Sequence, residues 1–376
     1  MNLRRVRAVA RKEFLHVVRD PRSLGMAIAI PMLLLLLFGY ALTLDVDNVP
    51  MIVWDQSNTP ESRELISRFD GSPYFAVRAY ADNGRDVDRA IDAGEAMMGL
   101  IVPRDFARDF DTGRTTAVQL VVDGSDANTA TIAIGYAEVV VEVFSHEQAA
   151  AWGRRLGGPS VQAPLDVRSR VWFNAELESK NYIVPGLIAV IMMVIAAMLT
   201  SLTVAREWER GTMEQLVSTP VKGPELILGK LLPYFVIGLV DVALAVLLGE
   251  FLFHVPLRGN VALLFGIASV FLMGVLAMGI TISIGAKQQL LASQLAMTLT
   301  FLPSFLLSGF MFAIGNMPRP VQAVTYLVPA RYFIGILKGI YLKGVGLEVL
   351  ALDAVLLVAF GTIMVAVANL KFCKKL

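Results

Sequence analysis

The chain has 376 residues, 56% of them hydrophobic and 17% charged, with a formal net charge of +1. Soluble domains run at about 45–50% apolar and about 25% charged, so both shifts argue against an ordinary soluble protein and point to a membrane one. The single cysteine, Cys373, excludes an intrachain disulfide, and three scattered histidines (His16, His146, His254) with no HExxH or Cys/His cluster give a metal site no support.

Residues 1–23 contain "LRRVRAVARKEFLHVVRD", in which Leu3, Val6, Ala10, Phe14, Val17 and Val18 recur at three- and four-residue steps, with Arg and Lys opposite. That spacing predicts an amphipathic helix lying flat on an anionic leaflet. A bilayer core of about 30 Å needs roughly 20 apolar residues as helix. The stretches 24–44, 182–204, 226–252, 261–285, 290–313 and 347–370 meet that requirement. The first is too long for a signal-peptide core and no small-x-small site follows it, so it reads as an uncleaved span. The predicted fold class is an α-helical integral membrane protein with six transmembrane helices and an inserted α/β domain.

That insertion, residues 45–180, is ordinary in composition. Strands are predicted at 49–55, 74–81, 96–103 and 116–124. Helices are predicted at 60–70 (opened by Thr59), 85–94 (closed by Gly94), 104–113 (closed by Gly113) and 128–152. Alternation of strand and helix implies an α/β domain with a mostly central sheet. "DGSDANT" (123–129) lacks the spacing and closing Glu of a calcium loop and reads as a turn. No nucleophile–base pair stands out, so a docking or substrate-handling domain is expected.

Orientation follows from Arg4, Arg5, Arg7, Arg11, Lys12, Arg19 and Arg22 before the first span and Lys371, Lys374 and Lys375 at the end. The positive-inside rule puts both termini in the cytoplasm, with 205–230 inside and 45–180 and 314–346 outside. Arg319, Arg331, Lys338 and Lys343 run against the rule. Residues 314–346 therefore read as short re-entrant or surface helices.

The segment "AREWERGTMEQLVSTPVKGPELILGK" (205–230) interrupts two apolar runs. Gly211 breaks the helix entering it. Thr212 is placed to cap a new short helix, with Gln215 completing a capping box. Met213, Leu216 and Val217 give that helix an apolar face beside Glu209, Arg210 and Glu214, and Pro220 stops it. The expected result is a knob with exposed apolar residues ringed by charge, shaped for a groove on a soluble partner; the competing reading is an ordinary polar loop. "GPELILGKL" (223–231) has five residues between its glycines and Leu231 where a phosphate loop needs Ser or Thr. It is rejected as a nucleotide site, and no catalytic residue is expected anywhere in the chain.

Within the spans, Asp241 is an acid near the bilayer centre, which costs roughly 2.5–3.5 kcal/mol and should face protein or water. A hydrogen bond to a neighbouring helix is favoured over a cation or proton site. Phe301, Phe305, Ser308 and Phe310 are candidates for a translocation path, because Met- and Phe-rich surfaces adapt to varied apolar ligands. Plain packing or lipid contact is the competing reading.

"EWERGTMEQLVSTPVKGPELILGKLLP" resembles the signature of type-2 ABC exporter permeases, the drug, polysaccharide and lipid exporter class. The matching positions are Glu209, Gly211, Thr212, Glu214, Leu216, Thr219, Pro220, Glu225, Gly229, Lys230 and Pro233. "RKEFLHVVRDPRSL" (11–24) is similar to the class's N-terminal interfacial helix. "FLLSGFMFAIGNMPRPVQAVTYLVPARYF" (305–333) is similar to its segment after the fifth span, through Ser308, Gly309, Phe310, Met317, Pro318, Gln322, Pro329 and Tyr332. The insertion at 45–180 matches the longer members.

The resemblance implies a half-transporter in a bacterial inner membrane, paired with a second permease subunit, identical or paralogous. It implies a separate ABC ATP-binding subunit holding ATP and Mg, with no cofactor on this chain and no nucleic acid partner. Membrane lipid and a periplasmic adaptor protein are further candidate partners. Residues 206–220 would be the coupling helix, with Glu209, Arg210, Gly211, Thr212, Glu214, Leu216, Thr219 and Pro220 meeting the ATPase. The first helix, with Lys12, Glu13, Phe14, Arg19 and Asp20, would be the connecting helix. The expected cargo is apolar or amphiphilic. Two rivals, an ion-coupled secondary transporter and a membrane-anchored receptor or scaffold, both require no ATPase partner.

Overall fold

A computed structural model describes residues 2–42, 46–112, 116–155, 173–174 and 178–372. Gly113, Cys373, Lys374 and Lys375 lie outside the described residues. The chain divides into two units, one of residues 1–43 and 171–376 and the other of residues 44–170.

The larger unit is helical. It starts with α1 (Leu3–Val18) and α2 (Pro21–Ala41), and resumes with α7 (Ser179–Glu209), α8 (Thr212–Ser218) and α9 (Gly223–Leu247). It ends with α10 (Val261–Ala286), α11 (Gln289–Leu306), α12 (Arg319–Thr325), α13 (Pro329–Lys338) and α14 (Leu347–Lys371). Helices α7, α9 with its π-turn Leu248–Leu252, α10, α11 and α14 are long and apolar enough to cross a membrane. Helix α2 covers most of the 24–44 span expected from sequence, with residues 43–45 outside the described residues. A bent pair, Arg319–Thr325 and Pro329–Lys343, turns through 84° and gives the short helices predicted within 314–346.

Helix α7 is the hub: it is buried along most of its length and packs against α2, α9, α10, α11 and α13. Its contact with α10 is made by backbone approach. A Cβ on Gly279 would lie 2.4 Å from the Ala197 carbonyl oxygen and would overlap the Thr200 hydroxyl. Small residues at such crossings let membrane helices close on one another. Thr200 Oγ1 donates to Leu276 O across the contact at 2.9 Å. Further along, Ser283 Oγ accepts from the amides of Val204 and Ala205 at 3.0 and 2.9 Å.

The fifth span is shorter than the predicted 290–313: α11 stops at Leu306. Pro303 lies in its last turn, and the Ser304 hydroxyl donates to Phe301 O at 3.1 Å, competing with helical bonding. Gly309 then turns the chain at φ 80°.

The second unit is a four-stranded sheet in the order β2-β1-β3-β4, with β1 (Val49–Asp55), β2 (Phe75–Tyr80), β3 (Met98–Val102) and β4 (Gln119–Val122). β1 runs parallel to β2 and β3, and β4 is antiparallel to β3. Met51 and Val53 face one side with Leu65 and Phe69 of α3 (Pro60–Asp70), Phe106 of α5 (Phe106–Asp111), and Ala133 and Phe144 of α6 (Ala127–Arg155). Ile52 faces the other side with Val87 and Ala90 of α4 (Gly84–Asp92). Because both faces of β1 are covered, its sequence is apolar from Val49 to Trp54 rather than alternating. Thr59 caps α3 by accepting from the Ser62 amide. The 123–129 stretch is a turn into α6, in which hydrogen bonds from Ser125 hold the Asp123 carboxyl below its ordinary range.

Candidate functional site

The charged residues of the helical unit converge where α1 crosses the junction of α7, α8 and α9. Helix α1 is capped by Asn2, whose side chain accepts from Arg4 N at 3.1 Å. The residues it turns to the protein are Val6, Val9 and Glu13. Leu3, Phe14 and Val18 are exposed. The choice of inner edge has a packing cause. α9 presents Gly229, on which a Cβ would stand 2.6 Å from Val9 Cβ, so the two helices touch at backbone range and turn α1 onto that edge.

The seat is electrostatically tied. Lys230 of α9 is buried and its Nζ lies 2.7 Å from Glu13 Oε1, 3.4 Å from Glu207 Oε1 and 3.4 Å from Thr203 O. Glu207 also accepts from Lys12 Nζ at 2.8 Å and from the Thr212 hydroxyl. Asn2 N donates to Glu225 Oε1 at 2.6 Å, and Arg5 Nη1 donates to Pro220 O at 2.6 Å. One buried cation and two carboxylates thus join three helices. Removing one member of such a set leaves a buried charge unpaired, which costs far more than a surface pair is worth. Arg19 is the exposed C-cap of α1, and Asp20 has an interaction partner of its own.

Helix α8 departs from the sequence reading at two points. Its N-cap is Gly211, at φ 71°, a left-handed conformation that favours glycine. Thr212 is the first helical residue and makes no cap; its hydroxyl is taken by Glu207. Second, two of the three residues of the predicted exposed apolar face turn inward: Met213 is buried and Leu216 packs half-buried against the same core, while the Val217 side chain lies outside what is described. Among the described side chains, α8 and its flanks present outward Arg210, Glu214, Gln215, Ser218 and Thr219, followed by Pro220. The helix ends at Ser218, and Thr219 is extended, as a residue before proline prefers. Glu209 accepts from Gln289 N at 2.7 Å, tying the end of α7 to the start of α11.

The candidate path residues divide. Phe301, Phe305 and Phe310 form a ladder with ring centroids 5.6 Å apart at each step, and Ser308 Oγ accepts from the Phe310 amide at 3.3 Å. Phe310 packs on Gly186 of α7. Asp241 lies on α9, buried, and its Oδ1 has no hydrogen-bond partner among the described residues, so the hydrogen bond expected from sequence is not made there. Lys338, noted in the sequence only as a charge against the positive-inside rule, donates from its Nζ to Gly309 O at 3.2 Å and stands 3.3 Å from the centre of the Tyr182 ring, a tie that sequence reasoning missed. Sequence reasoning also missed the Lys230 triad. The lysine was quoted as a motif position, but nothing local to it reveals a partner 217 residues away. Among the described residues, no three His, Cys, Asp or Glu side chains gather as a metal site would need.

A bundle of long apolar helices around a buried hub, with a charged helical junction at one end, defines a multi-pass membrane protein. Residues 21–370 match the family described as ABC-2 family transporter protein, and the chain belongs to that family. It is similar to the probable multidrug ABC transporter permease YbhS of Escherichia coli (strain K12), with 38% identity over 377 residues covering 100% of this chain and 98% of the relative. It is also similar to the probable multidrug ABC transporter permease YbhR of the same organism, 30% identical over 92% of each chain. The inner membrane transport permease YhhJ of that strain is 27% identical over 86% of this chain and 85% of its own length. The chain is accordingly a membrane subunit of an ABC transporter, and its family implies an ABC ATP-binding partner.

Proposed function

We infer that this chain is one half of the membrane part of an ATP-driven exporter. Two copies, or this chain and a paralogue, stand side by side, each on its own ATP-binding subunit, which holds ATP and Mg and performs hydrolysis. The observation that carries this reading is the junction of α1, α8 and α9: an outward polar surface backed by buried ion pairs that reach α7, the hub of the bundle. A push on α8 or α1 there passes into the spans. The positive-inside rule applied to the basic residues at both ends favours a cytoplasmic junction with residues 45–180 outside, where a periplasmic adaptor is a candidate partner, and the name of one relative as an inner membrane permease supports the bacterial inner membrane. An apolar or amphiphilic cargo fits the apolar bundle and its phenylalanine ladder, and two relatives are named as probable multidrug permeases.

The test is co-purification. The tagged chain is expressed with its ATP-binding subunit and isolated in mild detergent, beside a charge-reversed variant, Arg210→Glu with Glu214→Lys. Both side chains are exposed, so the fold should survive. Depletion of the ATP-binding subunit from the variant supports the coupling role. Equal recovery from a variant with unchanged melting refutes the role assigned to α8.

A further inference from the structure

A cleft of about 180 Å³ opens between α1, α2, α7 and α9, next to the junction but distinct from it. Its walls are apolar, with Ala27, Ile195, Leu199 and Ile237 inside, and Ile30 and Met198 exposed at its edge. An apolar protein cavity of about 150 Å³ holds benzene, so this one has room for an acyl segment. One end is polar. Arg206 Nη1 lies 2.9 Å from His16 Nε2 and its Nε donates to Gln289 Oε1 at 3.3 Å, but Arg206 has no carboxylate partner among the described residues. The remaining guanidinium donors are free for an anion. Asp20, the acid of the rim, already has a partner.

We propose that this cleft binds one anionic membrane lipid of the leaflet on which α1 lies, with an acyl chain between α2 and α7 and the phosphate on Arg206. Three observations fix that occupant. The lining changes from apolar to charged along the cleft, ending at Arg206 beside His16 and Asp20, the order in which a lipid changes from chain to headgroup. The adjoining helix exposes Phe14, Leu15 and Val18 beside Arg11 and Arg19, the composition of a helix seated at the boundary of headgroups and chains. The arginines also attract anionic lipid to that surface. A lipid there would fill the gap between the interfacial helix and the hub, so that α1 bears on α7 through lipid as well as through Lys230. The proposal rests on membrane insertion alone and is independent of cargo or direction.

The full chain, purified and delipidated in mild detergent, is titrated with phosphatidylglycerol or with phosphatidylcholine of matched chains, and bound lipid is counted by native mass spectrometry. The expected result is one phosphatidylglycerol per chain, with phosphatidylcholine, whose choline offsets its phosphate charge, about fivefold weaker, the roughly 1 kcal/mol that one arginine contributes toward anionic lipid. Arg206→Gln should bring the two lipids level, and Met198→Trp, which fills the cleft from its exposed edge, should abolish binding of both. Leu199→Trp serves as a second filling variant. Equal affinity of the native chain for the two lipids overturns the proposal, as does unchanged phosphatidylglycerol binding in Arg206→Gln or in a folded filling variant. A cleft occupied by a second copy would appear as a lipid-independent dimer lost in Met198→Trp, which also overturns it.

Discussion

Replacing Lys230 with Met should undock α1. Lys230 is 2% exposed and neutralises two carboxylates, at 2.7 and 3.4 Å. In the variant Glu207 keeps Lys12 at 2.8 Å and the Thr212 hydroxyl, so its loss is partly covered. Glu13, 5% exposed, keeps no ion pair among the described residues. Breaking a buried pair costs about 3–5 kcal/mol, and with one carboxylate rescued the lower figure applies. The other polar ties of α1 are partly exposed and worth about 0.2–1 kcal/mol each, too little to replace it. About 3 kcal/mol corresponds to a roughly hundredfold rise in the undocked population. Hydrogen exchange of the α1 amides in the detergent-purified protein reads that population directly, with β1 of the α/β unit as an internal reference that should not change. The double variant Glu13→Gln, Lys230→Met removes both charges and should recover most of the protection. Unchanged exchange in Lys230→Met, or a double variant no better than the single one, refutes the argument that a buried ion set holds α1 in place.

Further outcomes follow from other contacts. Gly229→Leu forces a side chain into Val9 and the Val6 carbonyl, and overpacking of about 1–3 kcal/mol should lower the melting temperature and loosen α1 together. Gly279→Val meets backbone at Ala197 and should cost more than Thr200→Val, which loses one interhelical hydrogen bond worth about 0.6 kcal/mol; thermal unfolding of the two variants gives the order. Met213→Asp buries a charge and should prevent stable purification, whereas Glu214→Lys, on the exposed side of the same helix, should leave melting unchanged and weaken recovery of the ATP-binding subunit.

Hydropathy and turn chemistry carry a good deal of this architecture. The predicted strands 49–55, 74–81, 96–103 and 116–124 coincide with β1 to β4 within a few residues, because apolar runs bounded by turns and caps such as Thr59 are local signals. The long apolar helices are equally local. What escaped is what depends on a neighbour. Which edge of α1 faces inward is decided by the missing side chain of Gly229, and the period of its own apolar residues cannot know that. The end of α11 is set by serine hydroxyls competing for carbonyls inside a run that hydropathy scores as continuous. The apolar face of α8 was visible, but its direction was not. A short helix with Met213 and Leu216 on one side can turn them to a partner or to its own core, and the packing surface of the bundle decides.

The bond from Ser283 to the backbone of α7 bears on how stress travels. A hydroxyl that draws the amides of Val204 and Ala205 toward a second helix makes the natural place for α7 to flex, since side chains inserted at a helical ladder are a recognised cause of bending. Here that place is clamped to α10 instead of being left free, and Glu209 clamps the helix end to Gln289 just beyond. A displacement of this end of α7 is therefore shared with α10 and with the start of α11, through bonds only a few residues apart.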